Sequence, residues 1–213
     1  MIKENYECIK SQITDRTKII AVTKYHTVEE TLEAYEAGIR DFGENRTEGF
    51  LEKRKALPDD ANLHYIGTLQ SRKVKHIIDD LYYLHSLDRE SIAKKIEQYS
   101  DHIVKCFIQV NVSGEESKHG LTPDQVPDFL ERLSTYSKVE IIGLMTMAPA
   151  TDDATLIAEV FDRMAQLRET LQQSNSDNLN ISELSMGMSN DYQIAAEKGA
   201  TYVRIGSKIM ESR

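Results

Sequence analysis

IIAVTKYHTVEETLEAYEAGIRDF, residues 19–42, contains a complete strand–helix–strand unit. IIAVTK (19–24) reads as a buried strand. Thr27-Val28-Glu29-Glu30 follows as a T-x-x-E capping box, which opens a helix by satisfying backbone N–H groups at its start. Val28, Leu32 and Tyr35 share one face of that helix, and Gly38 ends it. Ile39–Phe42 predicts the next strand.

The same alternation runs in both directions from this unit. A helix is predicted over 46–57, then strands at LHYIG (63–67) and LYYLHSL (81–87) with a helix over 70–78 between them. Another helix starts at Asp88, before KCFIQVNV (105–112), the longest strand candidate. Thr122-Pro123 opens a helix carrying Val126, Phe129, Leu130 and Leu133 on one face, and Pro127 sits near its start, where loss of an N–H matters least. EIIGLMTM (140–147) precedes a helix over 154–172 with near-ideal apolar spacing. ISELSM (181–186), a helix over 190–198 and TYVRIG (201–206) complete the series. Eight strand candidates alternating with helices imply parallel strands joined by helical crossovers. An open doubly wound sheet and a closed barrel both fit, and eight units in one compact chain favour a single-domain α/β (β/α)₈ TIM barrel over residues 1–213.

The composition is that of an ordinary globular protein: 213 residues, 40% hydrophobic and 29% charged. A formal net charge of -9 disfavours nucleic acid and anionic lipid as partners. The basic cluster Arg72, Lys73, Lys75 and His76 reads as a solvated helix face. Cys8 and Cys106 have no disulfide or zinc spacing. Without a signal peptide, membrane span or lipidation motif in the sequence, a cytoplasmic protein is expected.

In such barrels chemistry gathers where strands end and βα loops begin. Lys24 ends the first strand. Half-burial there would favour a free amine able to form an imine with an aldehyde, whereas a lysine reaching for solvent is the bland alternative. LSMGMSND (184–191) and TYVRIGS (201–207) end the last two strands with Gly187, Ser189, Gly206 and Ser207. Helix starts after strands seven and eight suit a phosphate, and Gly187 would let the backbone approach it. Arg204, inside the last strand, needs a partner: a core carboxylate, or equally a pyridine nitrogen, which it would leave unprotonated. Asn45 follows the second strand within FGEN, where it could bond a ring hydroxyl, while Glu44 could be a helix N-terminal charge. His64 and His85 read first as satisfied core histidines. No metal site, HExxH, Walker A, GxGxxG or GxSxG motif occurs.

With these residues in view, the chain resembles the pyridoxal phosphate homeostasis proteins, an alanine racemase N-terminal-domain-like family also called proline synthase co-transcribed proteins. The resemblance rests on AVTKYH (21–26), DFGENR (41–46), LHYIGTLQSRK (63–73), HSLDR (85–89), IQVNVSGEESKHG (108–120), GLMTMAP (143–149), LSMGMSND (184–191) and VRIGSKIM (203–210). It implies a barrel like the alanine racemase N-terminal domain. It implies pyridoxal 5′-phosphate held covalently on Lys24, Arg204 at the pyridine nitrogen, and phosphate at Ser189, Gly206 and Ser207. Asn45 takes the family's GEN position near the ring, and Met186, Gly187 and Met188 fall in the strand-seven signature. Two positions depart from the family pattern: Arg72 replaces a frequent asparagine, and Ser207 a frequent threonine whose hydroxyl it keeps.

Alanine racemases use a second catalytic group, a tyrosine from an additional domain. This sequence ends seven residues after Gly206, and no residue is identifiable as an opposite-face base. The resemblance therefore implies a monomeric carrier or buffer of the cofactor, without catalytic residues, supplying pyridoxal-phosphate-dependent apo-enzymes. The alternative is a weak amino-acid racemase.

Overall fold

The structure, a computed structural model, describes residues 1–116, 119–174 and 180–211. Eight strands close a parallel barrel in sequence order: β1 (Lys18–Val22), β2 (Asp41–Glu44), β3 (Asn62–Tyr65), β4 (Tyr83–Leu87), β5 (Val104–Gln109), β6 (Val139–Met145), β7 (Glu183–Ser185) and β8 (Tyr202–Ile205). Helix α1 (Ile2–Ser11) precedes them. Then α2 (Val28–Glu36), α3 (Thr47–Ala56), α4 (Val74–Ile77), α5 (Glu90–Tyr99), α6 (Val126–Leu133), α7 (Ala154–Ser174) and α8 (Tyr192–Glu197) occupy the crossovers, and α9 (Ser207–Met210) follows β8. This is the expected (β/α)₈ barrel. Residues 117–118 of the 108–120 motif lie outside the described residues.

Period-two alternation divides each strand between two cores. Outward side chains such as Ala21, Phe42, Leu63, Leu84, Ile108 and Leu184 join the apolar faces of the helices in the main core. The barrel interior has its own smaller cluster of Ile20, Phe107, Ile142, Met145 and Tyr202. The Thr27 capping box forms as expected: its hydroxyl accepts from Glu30 N–H at 3.1 Å and the Glu30 carboxylate from Thr27 N–H at 2.8 Å.

Boundaries shift by one to three residues in most elements, β1 for instance ending at Val22, two residues before Lys24, and three further differences bear on the fold. Strand β2 begins at Asp41 rather than Ile39. Ile39 instead bonds back to the Ala34 carbonyl around Gly38, whose φ of +103° suits only glycine. The helix predicted over 70–78 is a 3₁₀ turn at Ser71–Lys73 running into the single turn of α4. Helix α1 was not expected, because its segment is polar; Ile2 and Ile9 are buried, Tyr6 packs beside them, and the Asn5 amide fastens the helix to the Ile209 carbonyl. Arg72, Lys75 and His76 are exposed, as a solvated face should be. No helix among the described residues is long and apolar enough to cross a membrane.

Candidate functional site at the C-terminal mouth

Lys24 occupies a turn immediately beyond β1. The His26 N–H bonds the Thr23 carbonyl at 3.0 Å, and Tyr25 adopts a φ of +67°. A side-chain-bearing residue in that region is strained, by about 1–3 kcal/mol, and persists only where its surroundings enforce it. Here the surroundings lie behind the barrel wall. The Lys53 ammonium of α3 bonds Glu44 at 2.7 Å and the Thr23 carbonyl at 3.3 Å, and the Thr23 hydroxyl bonds Glu44 at 3.1 Å. Lys53 and Glu44 are both buried. Glu44 lies against the first turn of α3, its carboxylate 3.2 Å from where a Cβ on Gly49 would sit, and its ion pair with Lys53 clamps the residue preceding Lys24.

Lys24 is half-buried, and its ammonium lies 5.8 Å from the ring centroid of the exposed Tyr25. Val22 pairs with Gly43, two residues before Lys24 and Asn45 respectively. On its other flank Ala21 pairs with Ile205, so Gly206 lies against Val22. Lys24, Asn45 and Gly206 thus follow three adjoining strands, β1, β2 and β8. Asn45 is held by its own backbone: its carbonyl accepts from Tyr65 Oη at 3.2 Å, and Gly67 packs so closely that a Cβ there would lie 2.6 Å from it. Burial beside acidic Glu48 and Glu44 holds the Tyr65 phenol protonated, its pKa pushed up to about 12.

The last two loops also converge. The hydroxyls of Ser189 and Ser207 meet at 3.4 Å, Ser207 exposed and Ser189 half-buried. Ser207 opens α9, whose first N–H groups have no partner within the helix. A Cβ on Gly206 would make only ordinary contacts. At Gly187 the φ is +101°, and a Cβ there would lie 2.5 Å from Ala195 of α8, so packing alone already requires glycine. The Met186 side chain is wholly buried in the outer core, so any contact it makes with a ligand at the mouth is through its backbone.

Arg204 points into the barrel, as its register partner Ile20 does, and is buried. It pairs directly with no carboxylate among the described residues. One Nη donates to Ser185 Oγ at 2.6 Å and the other to the Thr146 carbonyl at 3.0 Å. Burial lowers its pKa to about 10, and Asp191 partly offsets that. It remains a cation at neutral pH, with three of five donors uncommitted by these bonds.

One buried side-chain polar atom among the described residues lacks a partner, Ser86 Oγ in β4. Leu84 pairs with Cys106 and Leu87 with Ile108, so His85 and Ser86 together oppose Phe107 at a bulge. Such re-aimed residues are common beside binding sites. An amine, an amide, a buried guanidinium and two facing hydroxyls fit a ligand with an aldehyde, a polar ring and an anionic tail. A cleft of about 240 Å³ between the loops after β5 and β6 and helix α7, lined by Ser113, Glu115, Leu156, Glu159 and Arg163, contains none of these residues.

Residues 1–211 match the family described as alanine racemase, N-terminal domain. The pyridoxal phosphate homeostasis protein of Aquifex aeolicus is 37% identical over 200 residues, 92% of this chain and 87% of that protein. The chain belongs to the pyridoxal phosphate homeostasis protein family. The fission yeast member, from Schizosaccharomyces pombe, is 37% identical over 97% of this chain and 91% of its own length. Among solved structures, PipY of Synechococcus elongatus with PLP bound superposes with a TM-score of 0.91 at 32% identity, covering 99% of this chain and all of that one. Family membership and barrel were both legible in the motifs. The Glu44–Lys53 clamp, Ser185 and Ser86 were not: Glu44 and Ser185 find their partners on other elements, which no local pattern marks, and Ser86 Oγ has no partner to predict.

Proposed function

We propose that this protein binds pyridoxal 5′-phosphate as a Schiff base on Lys24 and holds it in reserve for other proteins. The observation that carries the reading is the PLP-bound relative, which matches this barrel end to end. The site is consistent with it. Bound pyridoxal phosphate supplies an aldehyde and an electron-withdrawing ring. The Lys24 amine provides the covalent anchor, and Asn45 lies where it can meet the ring hydroxyl. Arg204 presents donors to the ring nitrogen from below. Ser189, Ser207 and the backbone at Gly206 receive the phosphate. Because arginine donates and does not surrender its proton, the ring nitrogen stays unprotonated, which weakens the ring as an electron sink. That suits storage and delivery better than turnover. A cytoplasmic monomer donating to apo-enzymes completes the reading.

Titration with pyridoxal phosphate tests it. The wild type should develop an imine absorbance near the edge of the visible range, Lys24→Ala should not, and loaded protein should activate a pyridoxal-phosphate-dependent apo-enzyme. Survival of the absorbance in Lys24→Ala would refute the anchor. Rapid exchange of an amino acid's α-proton in deuterated water would replace the carrier with an enzyme.

A further inference from the structure

A single file of hydrogen bonds threads the barrel from one mouth toward the other. It begins at Asp41, the first residue of β2, whose side chain is 17% exposed at the N-terminal mouth. Asp41 Oδ1 lies 2.8 Å from His64 Nε2, His64 Nδ1 lies 2.9 Å from His85 Nε2, and His85 Nδ1 lies 2.8 Å from Ser185 Oγ. Ser185 Oγ then meets Arg204 at 2.6 Å. Five residues on five strands thus connect the far mouth to the guanidinium beneath the proposed cofactor.

The chemistry of the two ends sets the order of protons between them. A guanidinium only donates, so Ser185 Oγ accepts from Arg204 and turns its own proton toward His85 Nδ1. His85 must then carry its proton on Nε2 and donate it to His64 Nδ1. His64 in turn carries its proton on Nε2 and donates to the Asp41 carboxylate, which only accepts. Each ring nitrogen then makes one bond, Asp41 Oδ1 accepts a second from the Asn62 amide at 3.3 Å, and both imidazoles are neutral. Desolvation favours the same state, lowering the pKa of both rings. The file is sheathed by aromatic rings: Phe107 stacks on His85 at 4.2 Å, and Tyr82, Tyr83 and Tyr202 surround His64 at 5.2–5.6 Å. In such a dry setting each bond polarises the next.

We propose that Asp41, His64, His85 and Ser185 are positioning residues for Arg204, a one-way file that commits one edge of the guanidinium to the barrel wall and so presents its free donors to the cofactor ring. This rests on the functional reading above. It assigns work to both histidines, which otherwise serve only as core filling. Polar core groups able to bond in several ways would leave Arg204 with several orientations, whereas fixed ends permit one.

The first test needs no cofactor. In wild-type apo-protein with ring-¹⁵N histidine at neutral pH, His64 and His85 should both show a protonated Nε2 and an unprotonated Nδ1. An Nδ1–H tautomer or an imidazolium at either residue overturns the file. The second test separates positioning from structure. His85→Gln keeps an acceptor toward Ser185 and a donor toward His64, while His85→Leu removes both. His85→Leu should weaken pyridoxal phosphate binding roughly tenfold, about the worth of one hydrogen bond to a charged group, and shift the bound chromophore's absorption maximum. His85→Gln should restore most of both. Unchanged affinity and spectrum in a folded His85→Leu protein refute the proposal. A wild type that takes up no pyridoxal phosphate refutes the functional reading and with it the role of Arg204's free edge, whereas a wrong tautomer in a protein that binds it refutes the file alone.

Discussion

Replacing Glu44 by leucine leaves the Lys53 ammonium buried with only the Thr23 carbonyl, 3.3 Å away, as a hydrogen-bond acceptor. The intact pair is shorter, at 2.7 Å, and side-chain exposures of 4% and 2% place it away from water. Breaking a buried pair by removing one partner costs about 3–5 kcal/mol, because the survivor keeps its desolvation penalty without its counter-charge. For a barrel of this size that is a fall of about 6–20 °C in Tm. Lys53→Met should cost a similar amount, stranding the carboxylate on the Thr23 hydroxyl. The double variant Glu44→Leu/Lys53→Met removes both charges and should recover most of the loss, as buried pairs replaced by apolar residues of similar volume often do. Urea unfolding of all four proteins gives the coupling energy. Because the pair grips Thr23, both single variants should also loosen the Lys24 turn and weaken pyridoxal phosphate binding. Single-variant losses below about 1 kcal/mol would mean that the pair is effectively solvated and would refute the clamp.

Two further outcomes follow from the same physics. Burial holds His64 and His85 neutral, with Asp41 opposing at His64, Lys18 reinforcing there, and His64 and Arg204 reinforcing at His85. The unfolded chain protonates both near pH 6.5, so acid favours unfolding: their contribution is complete above that pH and falls below it by at most about 1.4 kcal/mol per pH unit for each ring. Urea midpoints from pH 7.5 to 5.5 should therefore decline, and the decline should be shallower in His85→Gln; a flat profile contradicts neutral burial. Gly187→Ala should cost about 2–4 kcal/mol, combining a left-handed φ with a Cβ 2.5 Å from Ala195, and Ala195→Gly in the same protein should return the packing part. A neutral Gly187→Ala would show that α8 shifts freely.

The barrel could be read from alternation alone because each βα unit repeats one local signal, an apolar run and then a capped amphipathic helix. Where local signals were weak, boundaries drifted. Ile39 is apolar and was counted into β2, yet it packs as the close of the preceding turn. A strand buried on both faces carries no alternation to mark its start. Lys24, Asn45, Ser189 and Ser207 were singled out because they stand just past strand ends, and Arg204 because a charge inside a strand needs a partner. Met186 stands there too, but it faces the helices, a difference of one residue in parity. His64 and His85 lie 21 residues apart, and His85 and Ser185 lie 100 apart. Only barrel closure brings them into one file, and no spacing rule records it.

In the proposed function, one amine at the C-terminal mouth carries the cofactor. Borohydride reduction of the pyridoxal-phosphate-loaded protein, followed by peptide mapping, tests it most directly. A pyridoxyl group on the peptide containing Lys24, at one per chain, is the predicted result. Label spread over surface lysines, or none retained after reduction, would contradict it.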